Sequence, residues 1–213
     1  MDGELTFRLV FLNVCVLTYV VRRYYTVKIE SICGKIPRQQ RWIESLKHEG
    51  KSITTLRTVL SPIWVVALLL YFFNPAWMAW STLPYPAWLR WFGIGLGIAC
   101  IPMLVWVQRT LGNHWSTHLK LRENHTLVTT GPYKRIRHPM YVVLFFFITA
   151  IALATASLLI TALNVLLIIV FYARISKEEQ MMIQKFGGQY RDYMKHTGRF
   201  IPKLDPESPR KKL

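Results

Sequence analysis

The feature that most constrains this chain is a run of 32 residues, positions 141–172, without a charged side chain. As one α-helix the run would be about 48 Å long, whereas about 20 apolar residues already cross the hydrocarbon core of a bilayer. Two shorter helices that meet near residues 154–157 fit a bilayer, with a tight turn at its far surface. The run therefore predicts two antiparallel membrane helices.

Three earlier apolar segments, residues 5–21, 58–73 and 88–107, are candidates for single membrane spans. Arg8 interrupts the first segment near its start, where a long basic side chain can extend towards the membrane surface. Acidic residues precede this segment and an Arg-Arg pair follows it, the reverse of a signal peptide, so we expect a retained anchor. With 52% apolar residues the composition excludes a disordered or fibrous chain, and five spans are predicted in total.

The basic residues are confined to particular segments of the chain. Of 27 Lys and Arg residues, 25 lie in residues 22–57, 108–140 and 173–213. Five spans place these segments on one side of the membrane, and the positive-inside rule then puts the N-terminus outside and the C-terminus in the cytoplasm. Basic residues between apolar runs argue against nucleic acid as a partner, despite the net charge of +16. The three cysteines have neither disulfide nor zinc spacing.

Polar chemistry is concentrated in residues 108–141, which hold four of the six histidines. A Gly-Pro pair at 131–132 signals a turn, and Pro139 biases His138 away from helical geometry. We expect an ordered turn that places His138 and Tyr141 at the membrane surface beside a helix N-terminus, where donors can hold a polar or anionic group. A basic interfacial loop that binds lipid phosphates is the alternative.

A metal site is not expected in this segment. His114 and His118 stand four residues apart and would share one face of a helix. However, Gly112 and Asn113 precede them, the pattern H-E-x-x-H is absent, and neither Cys nor Asp lies nearby. We therefore expect the histidines to hydrogen-bond a ligand or the backbone.

A second polar cluster follows the last span. Arg174 and Glu178 stand four residues apart, on one face of a helix that continues out of the membrane. A charge at the membrane boundary beneath a polar loop is a candidate ligand contact, although a solvated helix end is the simpler interpretation. An amphipathic stripe then follows, which we expect to pack on the loop or on lipid headgroups; it consists of Met181, Met182, Phe186, Tyr190 and Tyr193.

Together these motifs resemble the isoprenylcysteine carboxyl methyltransferase family, within a wider group of membrane methyltransferases that includes phospholipid N-methyltransferases. The resemblance rests on H-T-L-V at 125–128, G-P-Y at 131–133, R-H-P-M-Y at 137–141, R-x-x-x-E-E at 174–179 and F-G-x-x-Y at 186–190. It covers residues 108–202 and resembles the compact prokaryotic members. It implies an all-α integral membrane protein, in which five transmembrane helices carry a cytoplasmic cofactor-binding loop and a C-terminal helix.

The resemblance also assigns regions to the chain. Residues 1–107 form three N-terminal transmembrane helices with a basic cytoplasmic loop at 22–57. Residues 108–202 form the methyltransferase region, which includes the last two transmembrane helices, and residues 203–213 form a charged tail.

The implied reaction is methyl transfer from S-adenosylmethionine to the carboxylate of a lipid-linked, isoprenylcysteine-like acceptor, with S-adenosylhomocysteine as product. Arg174 matches the position that binds substrate and Glu178 an acidic cofactor contact, while either Glu178 or Glu179 is the essential acid. The other positions that match cofactor contacts are His118, His125, Thr126, Leu127, Val128, Tyr133, His138, Pro139, Met140 and Tyr141.

A carboxylate acceptor, with a pKa of about 3.5, is already ionised and needs no base. An amine acceptor would need one, and His138 or Glu179 would have to serve. The lipophilic acceptor would enter laterally from the bilayer. Three alternatives remain open: a phospholipid N-methyltransferase, an NADPH-dependent membrane reductase of sterols or enones, and a lipid-binding protein without enzymatic activity.

Overall fold

The computed structural model describes residues 2–35, 37–112 and 127–203 of the 213-residue chain. Within these ranges the chain is almost entirely helical, with two short 3-10 helices at Pro75–Ser81 and Gly131–Lys134. The α-helices are α1 (Asp2–Cys33), α2 (Arg38–Glu49), α3 (Lys51–Phe73), α4 (Ala87–Leu111), α5 (Pro139–Thr155), α6 (Leu158–Phe186) and α7 (Gly188–His196).

Among the described residues, α1, α3, α4 and α6 are long and apolar enough to cross a membrane. Helix α5 is equally apolar but has 17 residues, a length of about 26 Å. The predicted all-α membrane architecture is confirmed by these five apolar helices. Helix α1 continues to Cys33, well beyond the predicted span that ends at residue 21, and no Gly or Pro interrupts it there.

The charge-free run divides into two helices where the sequence predicts the turn. Ala156 adopts a left-handed conformation with φ of 47°, and the Ser157 side chain accepts a hydrogen bond from the Ile160 amide and caps α6. The Ser157 hydroxyl lies 2.9 Å from that of Ser81, and the Leu83 amide donates to Ala156 O at 2.6 Å. The turn and the uncharged loop between α3 and α4 therefore lie at the same end of the bundle.

Close helix contacts hold the bundle together. At Gly93 in α4 a Cβ atom would lie 2.7 Å from Leu153 Cβ and 2.8 Å from the Ala154 amide nitrogen, so only glycine allows α4 and α5 to approach this closely. On the other side, Asn164 of α6 accepts a hydrogen bond from Trp64 Nε1 at 2.7 Å and donates to Ile148 O at 3.1 Å. This buried amide links α3, α5 and α6.

The two basic residues outside the three basic segments, Arg8 and Arg90, share one carboxylate. Glu4 pairs with Arg8 at 3.2 Å and with both terminal nitrogens of Arg90, which also donates to the Tyr71 hydroxyl at 3.1 Å. At the far end of the bundle Arg8 thus forms an ion pair with Glu4 rather than extending alone towards water.

Candidate active site

The Gly131–Lys134 turn fits against the end of α4. Gly131 has φ of +56°, and a Cβ atom there would lie 2.8 Å from Thr110 Oγ1. The Tyr133 side chain is buried in an apolar cluster with Leu104 and Val143. The Tyr133 carbonyl accepts a hydrogen bond of 2.6 Å from the Tyr193 hydroxyl, so the predicted packing of the C-terminal stripe on the loop is seen at this residue.

The segment after α7 folds back along the same turn. The Arg137 amide donates to Gly198 O at 2.8 Å, the Gly198 amide to Arg135 O at 3.0 Å, and the His138 amide to Arg199 O at 3.2 Å. Aromatic contacts of Phe200 extend this surface, with its ring centroid 5.6 Å from that of Phe145. Residues 197–200 carry no periodic or motif signal, so this contribution could not be predicted from the sequence.

Glu179 lies at the centre of a charged cluster. Its Oε1 is 3.1 Å from both Arg137 Nε and His138 Nε2, and its Oε2 is 3.0 Å from Arg199 Nη2. Arg137 also donates to the carbonyls of Met194 and Thr197. The cluster joins the turn, α6 and the returning C-terminal segment, so both oxygens of Glu179 serve to hold the site together.

His138 takes part in this cluster from the residue just before α5. Its side chain is 5% exposed, and Pro139 occupies the first helical position, where its missing amide costs nothing. The ring contacts Glu179 rather than projecting into solvent, which distinguishes it from a surface histidine.

Glu178, the neighbouring residue, has different surroundings. Its Oε2 accepts a hydrogen bond of 3.0 Å from the Tyr141 hydroxyl, and its side chain is half-buried. Burial and then the negative charge of Glu178 raise the pKa of Tyr133, so this phenol stays neutral. Because successive helical residues are rotated by about 100°, Glu178 and Glu179 point in different directions from the same helix.

Arg174 lies one turn before Glu178, with its side chain 11% exposed. It is within electrostatic range of Tyr141 and Glu178. Its Nε is 3.5 Å from Oε1 of Glu49, the last residue of α2, whose side chain is fully buried. The other carboxylate oxygen of Glu49 is 3.3 Å from Arg57 Nε. Glu49 could not be predicted as a site residue from the sequence, because α2 lies within a polar, basic segment without an apolar span.

The structure therefore brings Arg174, Glu178, Glu179, His138 and Tyr141 to one end of the bundle. Val128 and Met140 pack against an apolar cluster with Cys100 and Val107, and Leu127 is half-buried. The expected contacts His118, His125 and Thr126 lie outside the described residues, as does His114. In residues 2–35, 37–112 and 127–203 no group of three or more His, Cys, Asp or Glu side chains could hold a metal ion.

Comparison with known proteins shows which family this chain belongs to. A model of the isoprenylcysteine carboxyl methyltransferase family matches residues 93–184, which cover α5 completely and most of α4 and α6. The protein-S-isoprenylcysteine O-methyltransferase of Dictyostelium discoideum is 31% identical over 193 residues, covering 84% of this chain and 78% of that protein. This chain belongs to the isoprenylcysteine carboxyl methyltransferase family. The family expected from the motifs is thereby confirmed.

Two further proteins extend the comparison. The nickel-cobalt-cadmium resistance protein NccN of Alcaligenes xylosoxydans xylosoxydans is 30% identical over 112 residues, 52% of this chain and 53% of that protein. The matched part thus spans about half the length of that relative. The structure of a eukaryotic intramembrane Ras methyltransferase of the family superposes with a TM-score of 0.51 at 19% identity, covering 94% of this chain and 93% of that one. The two proteins share a fold.

Proposed function

We propose that this protein transfers a methyl group from S-adenosylmethionine to the carboxylate of a lipid-linked, isoprenylcysteine-like acceptor. The observation that carries the proposal is the placement of Arg174 and Glu178 one turn apart at the charged end of an apolar bundle. This arrangement offers a cation for an anionic acceptor beside a carboxylate for the donor groups of a cofactor. Family membership and the methyltransferase name of the Dictyostelium relative support the same reaction.

The surroundings of Glu178 fit the polar parts of S-adenosylmethionine. An ionised carboxylate offers about four acceptor sites. Tyr141 takes one of them, which leaves Glu178 capacity for ribose hydroxyls or an ammonium group. When bound, S-adenosylmethionine supplies a methyl group activated by its sulfonium. Glu178 would hold and orient this cofactor, with Tyr141 fixing the rotamer of the carboxylate.

Arg174 suits the acceptor. A guanidinium binds a carboxylate through two parallel hydrogen bonds and stays charged where water is scarce. The residue lies where the apolar part of α6 gives way to its polar part. An acceptor carboxylate can therefore reach Arg174 while its hydrocarbon tail remains among the helices, and this positioning is the main contribution that the reaction requires of the protein.

The cluster around Glu179 favours a carboxylate acceptor over an amine. A carboxylate is ionised at neutral pH and reacts without a base, whereas an ammonium group must first lose a proton. His138 Nε2 and Glu179 Oε1 are 3.1 Å apart, and Glu179 also binds Arg137 and Arg199. Neither side chain is therefore well placed to take a proton from an acceptor.

We further infer that the site faces the cytoplasm. Three segments hold 25 of the 27 basic residues, and their described parts meet at the end of the bundle where Arg174 and Glu178 lie: Glu49 is 3.5 Å from Arg174, and Arg137 is 3.1 Å from Glu179. The loop between α3 and α4 at the opposite end carries no charged residue. The positive-inside rule then orients the bundle with its N-terminus outside.

The test uses the purified protein in lipid nanodiscs with radiolabelled S-adenosylmethionine. The acceptors are a farnesylated cysteine with a free carboxylate, the same compound as its methyl ester, and phosphatidylethanolamine. We expect label transfer to the free acid and none to the ester, because the ester has no carboxylate to methylate. Label transfer to phosphatidylethanolamine but not to the acid would contradict the proposal and favour N-methylation.

A further inference from the structure

The strongest unexplained feature outside the proposed cofactor contacts is the buried carboxylate of Glu49. Its side chain is fully buried at the end of α2, between two arginines from different helices. Burying a charge is costly unless partners compensate, and removal of one partner leaves the others unpaired. A carboxylate at such a position therefore has a specific role in holding its partners.

The two arginines are anchored unequally. Arg57 of α3 donates from Nε to Glu49 at 3.3 Å and from Nη2 to Ser45 at 3.4 Å, so both of its contacts lie on α2. Arg174 contributes its Nε edge at 3.5 Å from Glu49. Glu49 thereby connects a helix pair from the N-terminal half, α2 and α3, to the guanidinium on α6 that we assign to the acceptor.

The local charge is consistent with an anionic ligand. Arg57 and Arg174 flank Glu49, and Arg22 of α1 is within electrostatic range of Arg174. Glu178 is the second carboxylate near Arg174. These three arginines and two carboxylates leave one positive charge, which an acceptor carboxylate would neutralise.

We propose that Glu49 is a positioning residue that fixes the guanidinium of Arg174 for the acceptor carboxylate. The proposal rests on the proposed function of Arg174 and adds a determinant from α2, outside the residues 93–184 that match the family model. The ion pair of 3.5 Å between Glu49 Oε1 and Arg174 Nε favours one orientation of the planar guanidinium. The rotamer is then set before the acceptor binds, which lowers the entropic cost of binding.

The test is the Glu49→Gln variant, which keeps the shape of the side chain and removes its charge. We expect the KM for the farnesylated cysteine to rise by about tenfold or more, because small losses of orientation have large kinetic effects. The affinity for S-adenosylhomocysteine should stay within about twofold of wild type, since Glu178 is not altered. Glu49→Asp, which keeps the charge, should recover part of the acceptor affinity.

Glu30→Gln is the matched control. Glu30 is another carboxylate of the basic segment, and it pairs with Arg23 at 3.8 Å, an ion pair that involves neither Glu49 nor Arg174. Glu30→Gln should leave the KM for the farnesylated cysteine and the affinity for S-adenosylhomocysteine near wild type. A fall in the acceptor KM of Glu49→Gln would overturn the proposal, because Glu49 would then compete with the acceptor. Equal weakening of acceptor and cofactor would also overturn it, as the sign of a general structural role.

A measurement without turnover separates this proposal from the proposed function. In a double-mutant cycle, Glu49→Gln, Arg174→Gln and the double variant are compared by thermal unfolding in detergent. We expect the two single changes to be non-additive, because each removes the same ion pair. If the wild-type protein methylates no acceptor but the two substitutions are non-additive, the proposed function is refuted and the Glu49–Arg174 ion pair is supported. Additive effects would refute the role of Glu49 whatever the reaction.

Discussion

The two adjacent glutamates of α6 should separate into a stabilising residue and a ligand-binding residue. Glu179→Gln removes a carboxylate bound by Arg137, His138 and Arg199 at 3.0–3.1 Å, in a cluster whose exposed fractions range from 5% to 25%. Breaking a buried pair costs about 3–5 kcal/mol because charges are left uncompensated. Arg137 retains its carbonyl contacts, so the lower part of this range is expected.

The magnitude converts into a shift of thermal stability. For a chain of this size 1 kcal/mol corresponds to about 2–4 °C in Tm, so Glu179→Gln should lower the Tm by about 6–12 °C. Glu178→Gln keeps an amide oxygen that can accept the hydrogen bond from Tyr141 but removes the charge that strengthens it, a loss of about 1 kcal/mol, and should lower the Tm by no more than about 4 °C. Binding of S-adenosylhomocysteine should be affected in the opposite order, more by Glu178→Gln than by Glu179→Gln, since Glu178 is the proposed cofactor contact.

The assay combines thermal unfolding in detergent with calorimetric titration of S-adenosylhomocysteine, measured well below the Tm of each variant. Glu178→Gln should weaken binding by about tenfold or more, as expected when a charge-assisted hydrogen bond is lost. Lys177→Gln, a change at the exposed neighbouring position, is the control and should match wild type in both measurements. If Glu178→Gln proved the less stable variant and bound ligand normally, the division of roles would be refuted.

Three further outcomes follow from the structure. Gly93→Ala should destabilise the protein by about 1–3 kcal/mol in thermal unfolding, because the added Cβ would meet the backbone of Ala154. Gly95→Ala is the control, since the space around Gly95 is open, and it should change the free energy of unfolding by less than about 1 kcal/mol. Arg174→Lys should reduce the methylation rate with little change in cofactor affinity, and the wild-type rate should vary little from about pH 6 to 8. A rate that rises steeply with pH, together with full activity of the lysine variant, would favour an amine acceptor. In a cysteine-free background, Thr82→Cys should react with an impermeant thiol reagent from outside intact cells and Lys177→Cys should not; the reverse pattern would invert the topology.

Tyrosine ionisation should not disturb these pH profiles. Burial raises the pKa of Tyr193 to about 12 and that of Tyr133 above its ordinary value, so both phenols remain protonated throughout the assay range. The raised pKa means that the folded state binds more protons than the unfolded state only above about pH 10. Stability from these groups is therefore constant below that pH and declines above it.

Much of the bundle could be predicted from local sequence properties. The charge-free run is too long for one span, and the structure turns at Ala156 as that argument requires. The R-H-P-M-Y motif lies at the start of α5 and the R-x-x-x-E-E motif near the end of α6. Because a tight turn joins the two helices, both motifs lie at the same end of the pair, which brings Tyr141 to Glu178. The length of the charge-free run and the order of the motifs are sufficient to predict both the turn at Ala156 and the approach of Tyr141 to Glu178.

The contacts that define individual roles depend on distant parts of the chain. Glu49 reaches Arg174 across 125 positions, and α2 has no long apolar pattern that would predict its packing. Arg199 returns to Glu179 through backbone hydrogen bonds that any residue could make. The sequence could indicate that Glu178 and Glu179 face different directions, but only the positions of Arg137 and Arg199 distinguish which one is enclosed by cations.

The most direct test of the central claim is the chemical nature of the methylated product. The protein in nanodiscs is incubated with farnesylated cysteine and S-adenosylmethionine, and the product is analysed by mass spectrometry before and after mild alkaline treatment. Methylation of a carboxylate predicts a single added methyl group that alkali removes completely, because an ester hydrolyses and an N-methyl or S-methyl group does not. A methyl group that survives the alkaline treatment would contradict the account.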